Sequence, residues 1–188
     1  LPEPSERPAS VGEVPTTWET APVPTHDTPV AIEAVGPEEW ERVRAVRLAS
    51  LREDPASFFK LLTEEIDLPQ ADWRARLEST HTWVAVRDGT DVGVVTSGTD
   101  RDDPAAAHLS GLWIAPQARR RGTAEALSRA VIDHARTAGC RRVVLWVASA
   151  NAGADALYGA LGFTRTGRTD TFHPPRDTYT EWELELVL

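Results

Sequence analysis

The residues from Pro116 to Ala124 are the part of this chain best suited to chemistry. They contain Arg119-x-x-Gly122-x-Ala124 and lie between an apolar alternating run and a helix-like run. A strand-to-helix turn presents backbone N–H groups that no carbonyl has yet claimed, at the positive end of the helix dipole. A diphosphate is a natural guest for such a turn. Gly122 permits close backbone approach, and Ala124 is too small to obstruct it. Thr123 lies between them, while Arg119, Arg120 and Arg121 add positive charge to an acidic chain. Taken alone, a pattern this short also describes an ordinary solvated basic turn.

Other reactive constellations are poor. The five histidines lack zinc-like spacing, and a single cysteine supplies no thiolate site. No metal is therefore expected. Cys140 follows a helix end and precedes an apolar run, so it reads as an inert core residue. Neither a G-x-S-x-G elbow nor a P-loop lysine is present.

The elements that must position the turn follow from periodicity. Val30 to Val35 alternates like a strand, Pro37 begins a helix, and Trp40, Val43, Val46 and Leu51 recur at helical spacing until Asp54-Pro55. Residues 57–67 read as partly helical. Pro69 opens another helix with Trp73 and Leu77 four apart. Thr82 to Arg87 and Asp91 to Thr99 flank Asp88-Gly89, a hairpin signal. His108 to Ile114 reads as a strand whose alternation places His108, Ser110, Leu112 and Ile114 on one face. The following helix carries Ala124, Leu127, Val131, Ala135 and Ala138 as its apolar stripe and is capped by Gly139. Val143 to Val147 is apolar throughout, as a central strand requires. Residues 151–161 form a small-residue helix ending at Gly162. Phe163 to Arg168 and Glu181 to Val187 complete the sheet. In the last strand Trp182, Leu184 and Leu186 alternate with Glu181, Glu183 and Glu185, which predicts one buried and one wet face.

With 188 residues, 41% hydrophobic and 26% charged, the chain suits a single globular core. Residues 1–29 differ, because Pro2, Pro4, Pro8, Pro15, Pro22, Pro24 and Pro29 interrupt any helix or central strand. They read as an extended arm or leader, with Trp18 able to dock on a surface, and residues 30–188 as the folded domain. The net charge of -9 argues against nucleic acid and is compatible with a cationic substrate such as an amine, or with plain solubility. No apolar run approaches the roughly 20 residues that span a bilayer. The start has neither the basic nor the apolar segment of a secretory signal, so a cytoplasmic protein is expected.

Two blocks point further. Leu112-Trp113-Ile114-Ala115-Pro116, then Arg119 to Ala124, then Leu127, resembles the central motif of the GCN5-related N-acetyltransferase (GNAT) superfamily. Leu145-Trp146-Val147, Asn151, Ala156-Leu157-Tyr158 and Leu161-Gly162-Phe163 resemble that family's next strand, its Asn-led helix and the start of the strand after it. Weaker matches at Arg47-Leu48, Leu51-Arg52, Asp54-Pro55, Trp73-Arg74 and Arg76-Leu77 extend the resemblance over most of 30–188. One departure stands out, since many relatives carry glycine where this chain has Arg120.

The resemblance implies a mixed α/β (α+β) fold. Its central sheet of about seven strands is mostly antiparallel, with a parallel pair near the cofactor and helices on both faces. It implies acetyl transfer from acetyl-CoA, a co-substrate, to a primary amine of a small molecule or peptide, by direct attack with both substrates bound. A longer acyl-CoA, or an acyl-CoA-binding regulatory module with little turnover, are the competing readings. A homodimer would be in keeping with the family. Backbone groups of Leu112, Trp113 and Ile114 would pair with the pantetheine arm and the acetyl carbonyl, and residues 119–124 would cradle the diphosphate. Tyr158 matches the family's general acid, or else merely packs. Asn151 contacts the cofactor or caps its helix. Some relatives have a glutamate base where this chain has His108, and histidine titrates near neutral pH. Glu64, Glu65 or a water relay are rivals for that task, with Asp170 and His173 possible lining of the acceptor pocket.

Overall fold

Seven runs of strand-forming residues join one sheet in the spatial order 31–35, 81–87, 90–99, 106–114, 142–148, 180–187 and 164–171. The computed structural model describes residues 29–171 and 180–188. The arm before Pro29, with Trp18, and His173 lie outside the described residues. In chain order the strands are β1 (Ala31–Val35), β2 (His81–Arg87), β3 (Thr90–Thr99), β4 (Ala106–Ile114), β5 (Arg142–Ala148), β6 (Thr164–Thr171) and β7 (Thr180–Val187). The helices are α1 (Trp40–Glu53), α2 (Leu62–Glu65), α3 (Gln70–Ser79), α4 (Thr123–Thr137) and α5 (Ala152–Ala160).

Local chemistry sets the boundaries. A short 3-10 turn beginning at Pro37 leads into α1, and Asp54-Pro55 ends that helix. Asp88 and Gly89 both take positive φ, 51° and 72°, the hairpin geometry that Asp-Gly favours. Arg42 of α1 reaches Asp91 on β3 at 2.7 Å and Glu33 on β1 at 2.8 Å, fixing the helix across two strands. Trp73 and Leu77 of α3 are buried, as their spacing predicts. In α4 the stripe Leu127, Val131 and Ala135 is fully buried. Ala138 is exposed at the helix end, so the stripe stops one turn earlier than periodicity suggests.

Every neighbouring pair of strands is antiparallel except β4 and β5. Their parallel ladder joins only Ala106, Ala107 and His108 to Arg142, Val143 and Val144. From Leu109 onward the β4 edge that faces β5 is unpaired with it. α1 and α4 both pack on β3 without packing on each other, which places them on opposite faces.

The strand β4 departs from strict alternation. Val94 pairs with Trp113 and Thr96 with Ser110, so Val95 faces two residues, Gly111 and Leu112. Gly111 has φ of +66°, the conformation of a glycine bulge. The extra residue reverses side-chain parity beyond it. His108 and Ser110 therefore share a face with Trp113, not with Leu112 and Ile114 as uninterrupted alternation predicts.

Gly93 on β3 allows β4 and α4 to meet closely. A Cβ there would stand 2.8 Å from Ile114 Cδ1 and 2.9 Å from the Trp113 carbonyl oxygen. The second contact is backbone and cannot rotate away. Gly93→Ala is expected to destabilise the fold by about 1–3 kcal/mol through overpacking. A urea melt checks this, and an unchanged midpoint would show that β4 yields freely.

Candidate active site

The turn between β4 and α4 is held from both ends. The amide of Ala115 donates to the Val92 carbonyl at 2.9 Å, and Arg119 Nε donates to the Ile114 carbonyl at 2.9 Å. Arg120 takes φ of +59° and Gly122 φ of +75°. Arg120 thus adopts the left-handed geometry that glycine takes most readily. Thr123 is buried, its hydroxyl donating to the Ala118 carbonyl at 3.3 Å. The first bond across this end of α4 runs from the Ala126 amide to the Gly122 carbonyl, so the amides of Thr123, Ala124 and Glu125 precede it. No side chain caps this helix end.

A cavity of about 300 Å³ lies against these amides. Arg119, Arg120, Gly122, Thr123 and Ala124 line one side, and Ile114 forms its strand end. Gly153 and Leu157 of α5 line the other side. Left-handed residues at a helix start build anion-binding concavities, and two arginines stand at this one. The residues present therefore fit a diphosphate. Arg121 is exposed and outside the lining. Leu112, half-buried, and Trp113 are also outside it and belong to the open β4 edge. Trp113 is buried, and its indole Nε1 has no hydrogen-bond partner among the described residues.

Asn151 caps α5, its Oδ1 accepting from the Ala154 amide at 3.0 Å. The small side of α5 supplies the cavity wall instead, at Gly153. Tyr158 is buried and meets Phe163 edge-on with ring centroids 5.5 Å apart. Its hydroxyl makes no hydrogen bond among the described residues. Burial pushes the phenol well above its ordinary range, so it stays protonated wherever the protein works.

Among the candidate bases, both glutamates of α2 are committed elsewhere. Glu64 accepts from Lys60 at 2.9 Å and from the Leu61 amide at 2.7 Å. Glu65 is buried between Arg47 and Arg76. Burial alone would raise its carboxyl, but the hydrogen bonds and charges of the two arginines overcome that and hold it below the usual carboxylate range. A carboxylate so stabilised is a poor proton acceptor. His108 differs: burial first, and then Arg101, push its imidazole below 6.5, against Asp100 and Glu183. It is mostly neutral at neutral pH, as a base must be.

Glu183 corrects the expectation of a wet glutamate face on β7. It is buried, accepting from the Thr166 hydroxyl at 2.7 Å and from Arg168 at 2.8 Å, two residues of the covering strand β6. Glu181, also on β7, is pushed up to about 6 by burial and then by Asp170 opposite it. Sequence reasoning ranked neither as a site residue, because both owe their state to residues on another strand. A larger groove, about 610 Å³, lies elsewhere, between α3, β2 and α4. It shares no residue with the turn, and the chemistry follows the smaller cavity. Among the described residues no group of three or more His, Cys, Asp or Glu side chains could hold a metal, and no helix is long and apolar enough to cross a membrane.

Comparison with known proteins adds to this geometry. Residues 45–163 match the model of the acetyltransferase (GNAT) family. An N-acetylaspartate synthetase of Danio rerio is 35% identical over 101 residues, which are 54% of this chain and 36% of that protein. N-acetyltransferase 8 of Mus musculus is 37% identical over 90 residues, 46% of this chain and 40% of that protein. The chain thus matches well under half the length of these curated relatives. Among solved structures, yncA of Salmonella typhimurium, described with its cofactor acetyl-CoA, superposes with a TM-score of 0.71 at 18% identity, covering 86% of this chain and 95% of that one. A GCN5-related N-acetyltransferase from Kribbella flavida gives 0.68 at 23% identity over 85% and 98%. At these identities the likeness is one of fold.

Proposed function

The chain belongs to the acetyltransferase (GNAT) family, and on that premise we propose that it transfers the acetyl group of acetyl-CoA to a primary amine of a small molecule or peptide. The observation that carries this reading is the juxtaposition of unclaimed amides at Thr123, Ala124 and Glu125 with the cavity below α5 and the open β4 edge. The turn holds the diphosphate. The open edge from Leu109 to Ile114 offers main-chain groups to the pantetheine arm, and an amide aimed at the thioester oxygen stabilises the charge that develops there.

The amine nitrogen attacks the thioester carbon, a C–N bond forms and the C–S bond breaks. An alkyl amine is mostly protonated near neutral pH, with an unperturbed value of about 10.4 for lysine. His108 takes the proton that the nitrogen must lose. Tyr158 gives its proton to the departing thiolate of coenzyme A. Much of the acceleration comes from holding the two substrates together.

The role of His108 fixes a pH dependence. A base with a depressed value stays neutral further into acid, so the acid limb of kcat/KM falls at a midpoint below 6.5. His108→Gln is expected to remove that limb while the protein still binds coenzyme A. A limb that survives the substitution would assign it to another group. The reading as a whole is tested by incubating the chain with acetyl-CoA and a panel of amines, following thiol release and product mass. Release that depends on the amine, with a gain of one acetyl group, is the expected result. Propionyl- and succinyl-CoA in the same assay separate a longer acyl preference. Tight binding of coenzyme A with no acceptor turned over would mark a binding module instead.

A further inference from the structure

A trio centred on a buried carboxylate at the α1–α2–α3 junction carries more positive charge than it balances. Glu65 is 2% exposed. It accepts from Arg47 through Nε at 3.1 Å and Nη2 at 3.0 Å, and from Arg76 Nη1 at 3.0 Å. Two guanidinium groups thus share one carboxylate, leaving one net positive charge; the Arg47 side chain is 16% exposed and the Arg76 side chain 38%. The Arg47 guanidinium is further fixed by the Phe58 ring, whose centroid lies 4.7 Å away. An arginine so held loses little freedom when it meets a ligand.

The nitrogen that Glu65 leaves unused points at the site. Arg47 Nη1 stands 4.0 Å from where a Cβ of Gly111 would be. Gly111 is the bulge residue of β4, in the middle of the segment whose edge is open to the co-substrate. Because the position has no side chain, none stands between Nη1 and the strand. An anion bound at Nη1 would lie beside the open edge of β4 and would balance the trio. The diphosphate is already placed at the other end of β4, so the anion belongs to the acceptor.

We infer that Arg47 binds a carboxylate on the acceptor, which makes the acceptor an amino acid whose amine attacks while its carboxylate is held at Nη1. Glu65 is the positioning residue for that arginine. The inference rests on the proposed acetyl transfer and narrows its acceptor. Charge-assisted hydrogen bonds of this kind are strong and specific, corresponding to roughly ten- to hundredfold in affinity.

The test compares three matched acceptors with acetyl-CoA: a set of amino acids, their carboxamides and their decarboxylated amines. In the unsubstituted protein kcat/KM is expected to favour the amino acid by about ten- to hundredfold. Arg47→Gln should bring that ratio close to one, chiefly through KM of the amino acid. Arg47→Lys keeps the charge without the fork and should recover part of the preference, which also guards against a Gln variant that fails to fold. Equal use of all three acceptors by the unsubstituted protein overturns the inference while leaving acetyl transfer intact. So does a preference that persists in both variants, since Arg47 would then be structural only. Transfer to none of the three would instead remove the acetyltransferase reading, and this inference with it.

Discussion

Replacing Ala124 by glutamate is expected to weaken coenzyme A binding at least about a hundredfold while leaving the fold as stable as before or slightly more so. The two effects have opposite signs because they arise from one electrostatic feature. Ala124 is the second residue of α4 and lines the cavity at the turn. A carboxylate in the first turn of a helix interacts favourably with its dipole, by about 0.3–1 kcal/mol. The same carboxylate stands in the cavity proposed for the diphosphate. Two unit charges about 4 Å apart at an effective dielectric near 20 repel by about 4 kcal/mol, and roughly 2.8 kcal/mol already corresponds to a hundredfold. Calorimetric titration and a thermal melt on the same sample read both quantities. Loss of affinity together with loss of stability would point to a damaged fold, and retained affinity would place the diphosphate elsewhere.

Tyr158→Phe should lower kcat by about a hundredfold or more, the range a positioned acid contributes, with KM for acetyl-CoA little changed. The buried ring packs against Phe163, and the substitution preserves that contact. Its hydroxyl makes no hydrogen bond among the described residues, so removing it leaves no buried partner unsatisfied. Stability is therefore expected to hold, and the loss should lie in the chemical step. A steady-state comparison of the two proteins decides the matter. Equal kcat values would reduce Tyr158 to a packing residue and leave thiolate protonation to solvent.

Much of this site is legible in the sequence for reasons that can be named. The turn is local, so six neighbouring residues suffice to suggest its guest. The hairpin at Asp88-Gly89 and the helix entries at Pro37 and Pro69 are likewise short-range chemistry. The placement of His108 differs from the expectation because the bulge at Gly111 breaks the alternation. An isolated glycine within a strand is itself a signal for a bulge, so the correction was available in principle. The states of Glu65 and Glu183 were not. Each carboxylate is buried only because arginines distant in sequence come to meet it, Arg47 and Arg76 in one case and Arg168 in the other. A glutamate on a short helix or an alternating strand reads as solvated until those partners are known. The lining role of Gly153 and Leu157 is hidden from the sequence for a similar reason. Only the packing of α5 beside the turn makes a wall of them, while Asn151, the more conspicuous residue, serves as a cap.

A backbone amide titration with coenzyme A addresses the diphosphate site directly. In ¹H–¹⁵N spectra the resonances of Thr123, Ala124 and Glu125 should shift most and saturate together, whereas pantetheine, which lacks the diphosphate, should leave them nearly unmoved. Amides at the start of α4 that stay in place while coenzyme A binds would contradict the account.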